Sequence, residues 1–118
     1  MTQESSQKSY DLSKLYNFVG TDPAIVKEMV VLFITTIPPQ VQLIITGLNE
    51  KNYGQVSKAA HAIKPSLDVF GIAEMHDPIR TIESNAKSGE NIEELTVFAD
   101  QLDKVIVQVI SELNRDFI

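Results

Sequence analysis

Cysteine is absent from this 118-residue sequence, histidine occurs only twice, and glycine and proline number five each. Without cysteine there is neither a disulfide framework nor a thiolate metal site. With His61 and His76 as the only imidazoles, a multi-histidine metal centre is not expected, although carboxylates could in principle complete a site. Basic residues are also short: 10 Lys plus Arg stand against 16 Asp plus Glu, a net charge of −6. That balance favours solubility and argues against non-specific nucleic-acid binding, which needs a basic stripe. One local exception stands out, because Lys58 and Lys64 bracket His61. Long hydrophobic runs are missing too. The longest, Met29 to Ile34, is far short of a membrane span, and the opening MTQESSQKS has no apolar core and is no signal peptide. A cytoplasmic protein with no membrane contact is expected. Scarce glycine and proline, and no sustained alternation of polar and apolar residues, point to one all-α domain able to bury a single core.

Residues 1–10 read as a flexible N-terminal tail and 11–118 as the helical domain. Asp11 to Val19 gives a short helix with Leu12, Leu15 and Phe18 or Val19 as its apolar contacts, ended by Gly20. Asp22 and Pro23 then form a helix start, N-cap followed by first-turn proline. From there Val26, Val30, Phe33, Ile37, Val41, Ile44 and Leu48 hold one stripe to Asn49, straight through Pro38-Pro39. One long helix kinked at the prolines, or two stacked end to end, is expected rather than a reversal. Val31, Leu32 and Ile34 lie off that stripe. The favoured reading is that the short N-terminal helix lies across them; the other is an apolar surface kept for a partner. The next helix opens on an Asn52/Gln55 capping-box pattern and carries Val56, Ala60, Ile63, Leu67 and Phe70 on one stripe to Gly71. Ile72, Met75, Ile79, Ile82 and Ala86 define a fourth helix, which Pro78 restricts to a start near Glu74 to Asp77. Leu95, Phe98, Leu102, Val105, Val109 and Leu113 face inward on the last, from about Asn91 to Asn114. Short loops make successive helices antiparallel, giving an up-and-down antiparallel four-helix bundle with a short extra N-terminal helix, expected as a monomer.

His61 falls about 140° from the centre of its helix's apolar stripe, on the wet face. Imidazole, with an ordinary pKa near ~6.5, is largely neutral and nucleophilic at cellular pH. Lys64 at i+3 reaches anything attached to the ring, and Lys58 lies one turn toward the N-terminus. A phosphoryl group on His61 would meet one or two ammonium groups. Ser57 and Asp68 share the face, but neither is an obvious acid–base partner. A histidine without a fixed orienting partner suits accepting a group that another protein has already activated. Against this stands the bland reading, since most exposed histidines do nothing.

The segment AHAIKPSLDVFG resembles the active-site helix of histidine-containing phosphotransfer (HPt) domains: Ala60-His61, then Lys64, Ser66 and Gly71. The short lead helix ending at Gly20, the long helix with a mid-point proline, and IESNAKSG closing the fourth helix also have family counterparts, so the resemblance spans residues 11–114. It implies a phosphorelay intermediate, not an enzyme by itself. His61 would take a phosphoryl group from a receiver-domain aspartate and pass it to another receiver, the two belonging to a hybrid histidine kinase and a response regulator. Lys64, with Lys58, would steady the phosphoryl oxygens, while Ala62, Pro65 and Asp68 would meet the docking partner. Neither a metal nor another cofactor is implied on the domain; Mg²⁺ in this class belongs to the receiver. Pro65 departs from the family, which has glycine there to keep the surface low.

Alternatives remain beside this reading. An autophosphorylating kinase dimerisation domain usually has an acidic residue directly after its histidine, where Ala62 stands, and an ATP-binding domain downstream. A helical receiver-binding or adaptor module without phosphotransfer is the other rival. His76 before Asp77-Pro78 reads as a capping or surface residue, Ser66 as a hydroxyl bonded to backbone, and Asp68 otherwise as a surface charge. The acidic residues of Glu90 to Glu94 suit the positive N-terminal end of the last helix.

Overall fold

A computed structural model describes residues 8–118. Five helices follow in order: α1 Ser13–Val19, α2 Pro23–Asn49, α3 Tyr53–Val69, α4 His76–Ser88 and α5 Ile92–Phe117, with a 3-10 turn at Ala73–Met75 leading into α4. Asp22 caps α2 by accepting from the Ala24 N–H at 2.9 Å, and Pro23 occupies the first turn, where its missing N–H costs nothing. The helix runs unbroken through Pro38 and Pro39. Gly89, in the left-handed conformation at φ 78°, ends α4.

The bundle closes because each long helix has one apolar stripe and two neighbours. α2 packs on α3, α3 on α4, α4 on α5, and α5 back on α2, an up-and-down antiparallel arrangement. Val30, Ile44, Ile63, Leu67, Ile79, Ile82, Leu102 and Leu113 are among the fully buried side chains at its centre. Close packing of α2 on α3 depends on Gly47: a Cβ there would sit 2.7 Å from Val56 Cγ2. Asn52 caps α3 by accepting from Gln55 N–H at 3.2 Å, but the capping box is not reciprocal. The Asn52 N–H donates instead to the Gly47 carbonyl at 2.7 Å, and Gln55 reaches back to the Leu43 carbonyl at 2.9 Å.

Several expectations need correction. Val31 and Leu32 remain exposed, because α1 is too short to lie across them; only Ile34 is partly drawn onto the core. Of the two candidates on α1, Val19 packs inward while Phe18 is 72 % exposed. The tail boundary at residue 10 also shifts. Residues 1–7 lie outside the described residues, but Ser9 and Tyr10 are fastened to α5. Ser9 donates from its backbone and hydroxyl to Glu112 at 2.8 and 3.0 Å, and the Tyr10 hydroxyl donates to Asp116. These bonds account for the burial of Glu112. Finally, α2 does have the length and composition to cross a membrane, which contiguous apolar runs alone do not show; in this fold its stripe is one wall of the core.

Gly71 closes the strap formed by the N-terminal segment. Its φ is +62°, and a Cβ there would run into the Asp11 carbonyl oxygen, whose own N–H donates to the Phe70 carbonyl at 3.0 Å. Gly71→Ala therefore combines backbone strain with a steric clash. It is expected to cost about 3 kcal/mol, a fall in Tm of about 10 °C or more in a thermal melt.

Candidate functional site

His61 stands on α3 with its side chain 69 % exposed, one turn before Pro65. The stripe of Val56, Ala60, Ile63 and Leu67 is fully turned into the core, so the opposite face of the helix must present His61 to solvent. Pro65 lies inside α3 and donates no hydrogen bond toward the His61 carbonyl, yet the helix continues to Val69.

The ring is not free. Its Nδ1 lies 2.7 Å from Oε2 of Glu83, contributed by α4, and Lys64 donates from Nζ to Oε1 of the same carboxylate at 2.8 Å. Glu83 is buried, and its side chain is only 10 % exposed. The Lys64 ammonium, helped by His61, pulls its pKa down to about 2 against the opposing effect of burial. Glu83 is therefore a carboxylate at neutral pH and can only accept hydrogen bonds. In the neutral ring Nδ1 is then the nitrogen that carries the proton, and the lone pair lies on Nε2, the ring nitrogen not engaged by Glu83. A third cation approaches the same group: Lys87, one turn beyond Glu83 on α4, has its Nζ 3.6 Å from Oε2.

The absence of an orienting partner for His61 is thus overturned, because the partner comes from the neighbouring helix. Ser57, expected on the wet face, is buried. Lys64 is half-buried and ion-paired rather than a free surface lysine. Lys58 is exposed on α3 and joins none of the ion pairs among the described residues. Asp68 is no isolated surface charge: Arg80 of α4 donates to it at 2.7 Å, which holds its carboxyl below the usual range. Ala62 and Pro65 are exposed beside the histidine. Pro65 also borders a shallow apolar groove between α2 and α3 with Leu32, Thr36, Val69 and Phe70. His76 is exposed at the start of α4 and pairs with Asp77 at 3.0 Å.

Glu83 was the residue to find. It sits four residues after Ile79 and three before Ala86, at the edge of a buried stripe, where a lone carboxylate is rarely tolerated without a cationic partner.

The lowered pKa has a consequence for stability. A depressed carboxylate stabilises the fold above its unfolded pKa, and that contribution is lost as pH falls from about 4.5 toward 2. Glu83→Gln should cost about 1–2 kcal/mol near pH 7, the exposed His61 and Lys87 adding little. Thermal melts should then show a gap from wild type that narrows steadily on acidification through that window.

A family model described as Hpt domain matches residues 28–114. No curated protein and no solved structure matches the chain. With an all-α bundle, a wet histidine on α3 and a model match across most of its length, the chain belongs to the Hpt domain family, the histidine phosphotransfer modules that work with receiver domains in phosphorelays.

Proposed function

We propose that this protein is a phosphorelay intermediate that accepts a phosphoryl group on Nε2 of His61 from a receiver aspartate and donates it to a second receiver. The observation that carries the reading is the Glu83 contact at 2.7 Å, which keeps the proton on Nδ1 and directs the lone pair to Nε2. In the forward step the Nε2 lone pair attacks phosphorus, the bond between phosphorus and the aspartyl oxygen breaks, and the carboxylate leaves with that electron pair. The Nδ1 proton stays in place. The ring then carries positive charge, which Glu83 neutralises through a charge-assisted hydrogen bond. Lys64, already within a turn of the ring, supplies a counter-charge to the phosphoryl oxygens.

The domain brings an oriented nucleophile and no activated phosphate of its own; the donor receiver, with its Mg²⁺, brings the reactive acyl phosphate. In this reading the partners are the receivers of a hybrid histidine kinase and of a response regulator. Ala62 and Pro65 form the floor on which a receiver sets down, and the groove beside Pro65 extends that floor toward Leu32. Proline has no long side chain to hold the partner away. Asp68, fixed by Arg80, lies two turns along the same face and is a rigid polar edge to the footprint.

Incubation with a phosphorylated receiver and Mg²⁺, followed by intact-mass measurement at neutral pH, should show the mass of one phosphoryl group. Stable receiver binding with no mass gain would instead make the protein a docking adaptor.

A further inference from the structure

We infer that the outer stripe of α2 is a docking surface for an α-helix of another protein, one with an apolar face and basic residues near both ends. Between Glu28 and Glu50, residues Leu32, Thr35, Pro39, Leu43 and Thr46 recur at spacings of three and four, and all seven are exposed on the side turned away from the buried stripe. No charged residue stands between the two glutamates in the sequence. Leu32 and Leu43 are 54 and 41 % exposed. The threonines add to the apolar character, because Thr35 and Thr46 donate their hydroxyl hydrogens to carbonyls of their own helix, at 3.0 Å on Val31 and 2.9 Å on Gln42. An 18-residue apolar window of α2 is only 28 % buried. The core therefore uses one side of this helix and leaves a second uncharged side uncovered.

The two glutamates decide what fits. Neither joins an ion pair among the described residues, and they stand 22 residues apart, roughly 33 Å along the helix. A second copy laid on the same stripe sets glutamate against glutamate. Antiparallel pairing about Pro39 puts Glu28 opposite Glu50, and parallel pairing puts each opposite itself. A bilayer would have to take both carboxylates into its headgroup layer, from a chain of net charge −6. A helix with an apolar stripe and a lysine or arginine near each end meets both features at once. Of the stripe, only Leu32 also lines the groove beside Pro65, and His61 lies at the seam of α3 with α4, so this surface is separate from the receiver's floor. It does not depend on the phosphoacceptor reading.

The test titrates ¹⁵N-labelled protein with a synthetic leucine–alanine helix of about 24 residues, its leucines on one face and a lysine near each end. Amide shifts should centre on Leu32, Thr35, Leu43 and Thr46, with a Kd on the order of 100 µM or tighter. The same peptide with glutamates at its ends should bind about tenfold more weakly, since two attractions become two repulsions. The double variant Glu28→Lys/Glu50→Lys, changed only at exposed positions, should stay folded and reverse that preference. Higher salt should narrow the difference. No response to the lysine-ended peptide, equal affinity for the two peptides, or shifts centred on another helix would overturn the inference. Self-association of the protein through the same residues would overturn it in favour of a second copy. Binding to phospholipid vesicles through those residues, with no response to the peptide, would overturn it in favour of lipid.

Discussion

Glu83→Leu is expected to slow phosphoryl transfer to His61 by on the order of 10–100-fold while the protein stays folded. Leucine fills the same space at the edge of the α4 stripe but accepts no hydrogen bond. Nδ1 then has no fixed partner, the ring turns freely, and the proton distributes between the two nitrogens. Some of the population presents Nε2–H, which has no lone pair to offer. The ring charge that develops during transfer also loses its counter-ion. Lys64 loses its partner too, but at 27 % exposure it can turn to water, so the fold tolerates the change. Glu83→Gln separates orientation from charge, since its amide oxygen still accepts from Nδ1–H. The expected order of rates, measured with a phosphorylated receiver, is wild type, then Gln, then Leu. A Leu variant as fast as wild type would remove Glu83 from the account.

His61→Gln should abolish labelling altogether. An amide nitrogen has its lone pair delocalised into the carbonyl and does not attack a phosphoryl group, so the loss is complete rather than partial. The side chain is 69 % exposed, and its removal leaves the core of α3 untouched; the melting temperature should change little. His76 serves as an internal control. It is also exposed and also paired with a carboxylate, Asp77, but that carboxylate is its sequence neighbour on the helix surface rather than a buried group from a second helix. Its imidazole has no buried carboxylate from a second helix to fix it, and no label is expected there. Acid-labile phosphate retained in His61→Gln would place the acceptor elsewhere.

Much of this architecture could be read from periodicity. The stripes on α2, α3 and α4 turned inward almost as spaced, because a helix buries whatever recurs at three and four residues. Asp22, Gly20 and Gly89 marked ends for local reasons that do not depend on the tertiary fold. The site was legible only on its own helix. His61 and Lys64 share α3 and could be related by counting residues, whereas Glu83 and Lys87 reach them only after α4 docks. Helix spacing says nothing about the rotation of one helix against another, and so the carboxylate beside His61 and its contact with Lys87 stayed hidden. Val31 and Leu32 show a related failure, since coverage by α1 depends on its length and path rather than on its apolar residues. Ser9 and Tyr10 looked like tail because their partners, Glu112 and Asp116, lie at the far end of the chain.

The most direct measurement is phosphorus–nitrogen heteronuclear NMR on protein phosphorylated by a receiver and labelled with ¹⁵N in its histidines. Phosphorus should couple to Nε2 of His61, with Nδ1 still protonated and its resonance displaced in Glu83→Leu. Phosphorus on Nδ1, or on His76, would contradict a site in which Glu83 occupies one face of the ring and leaves the other as the acceptor.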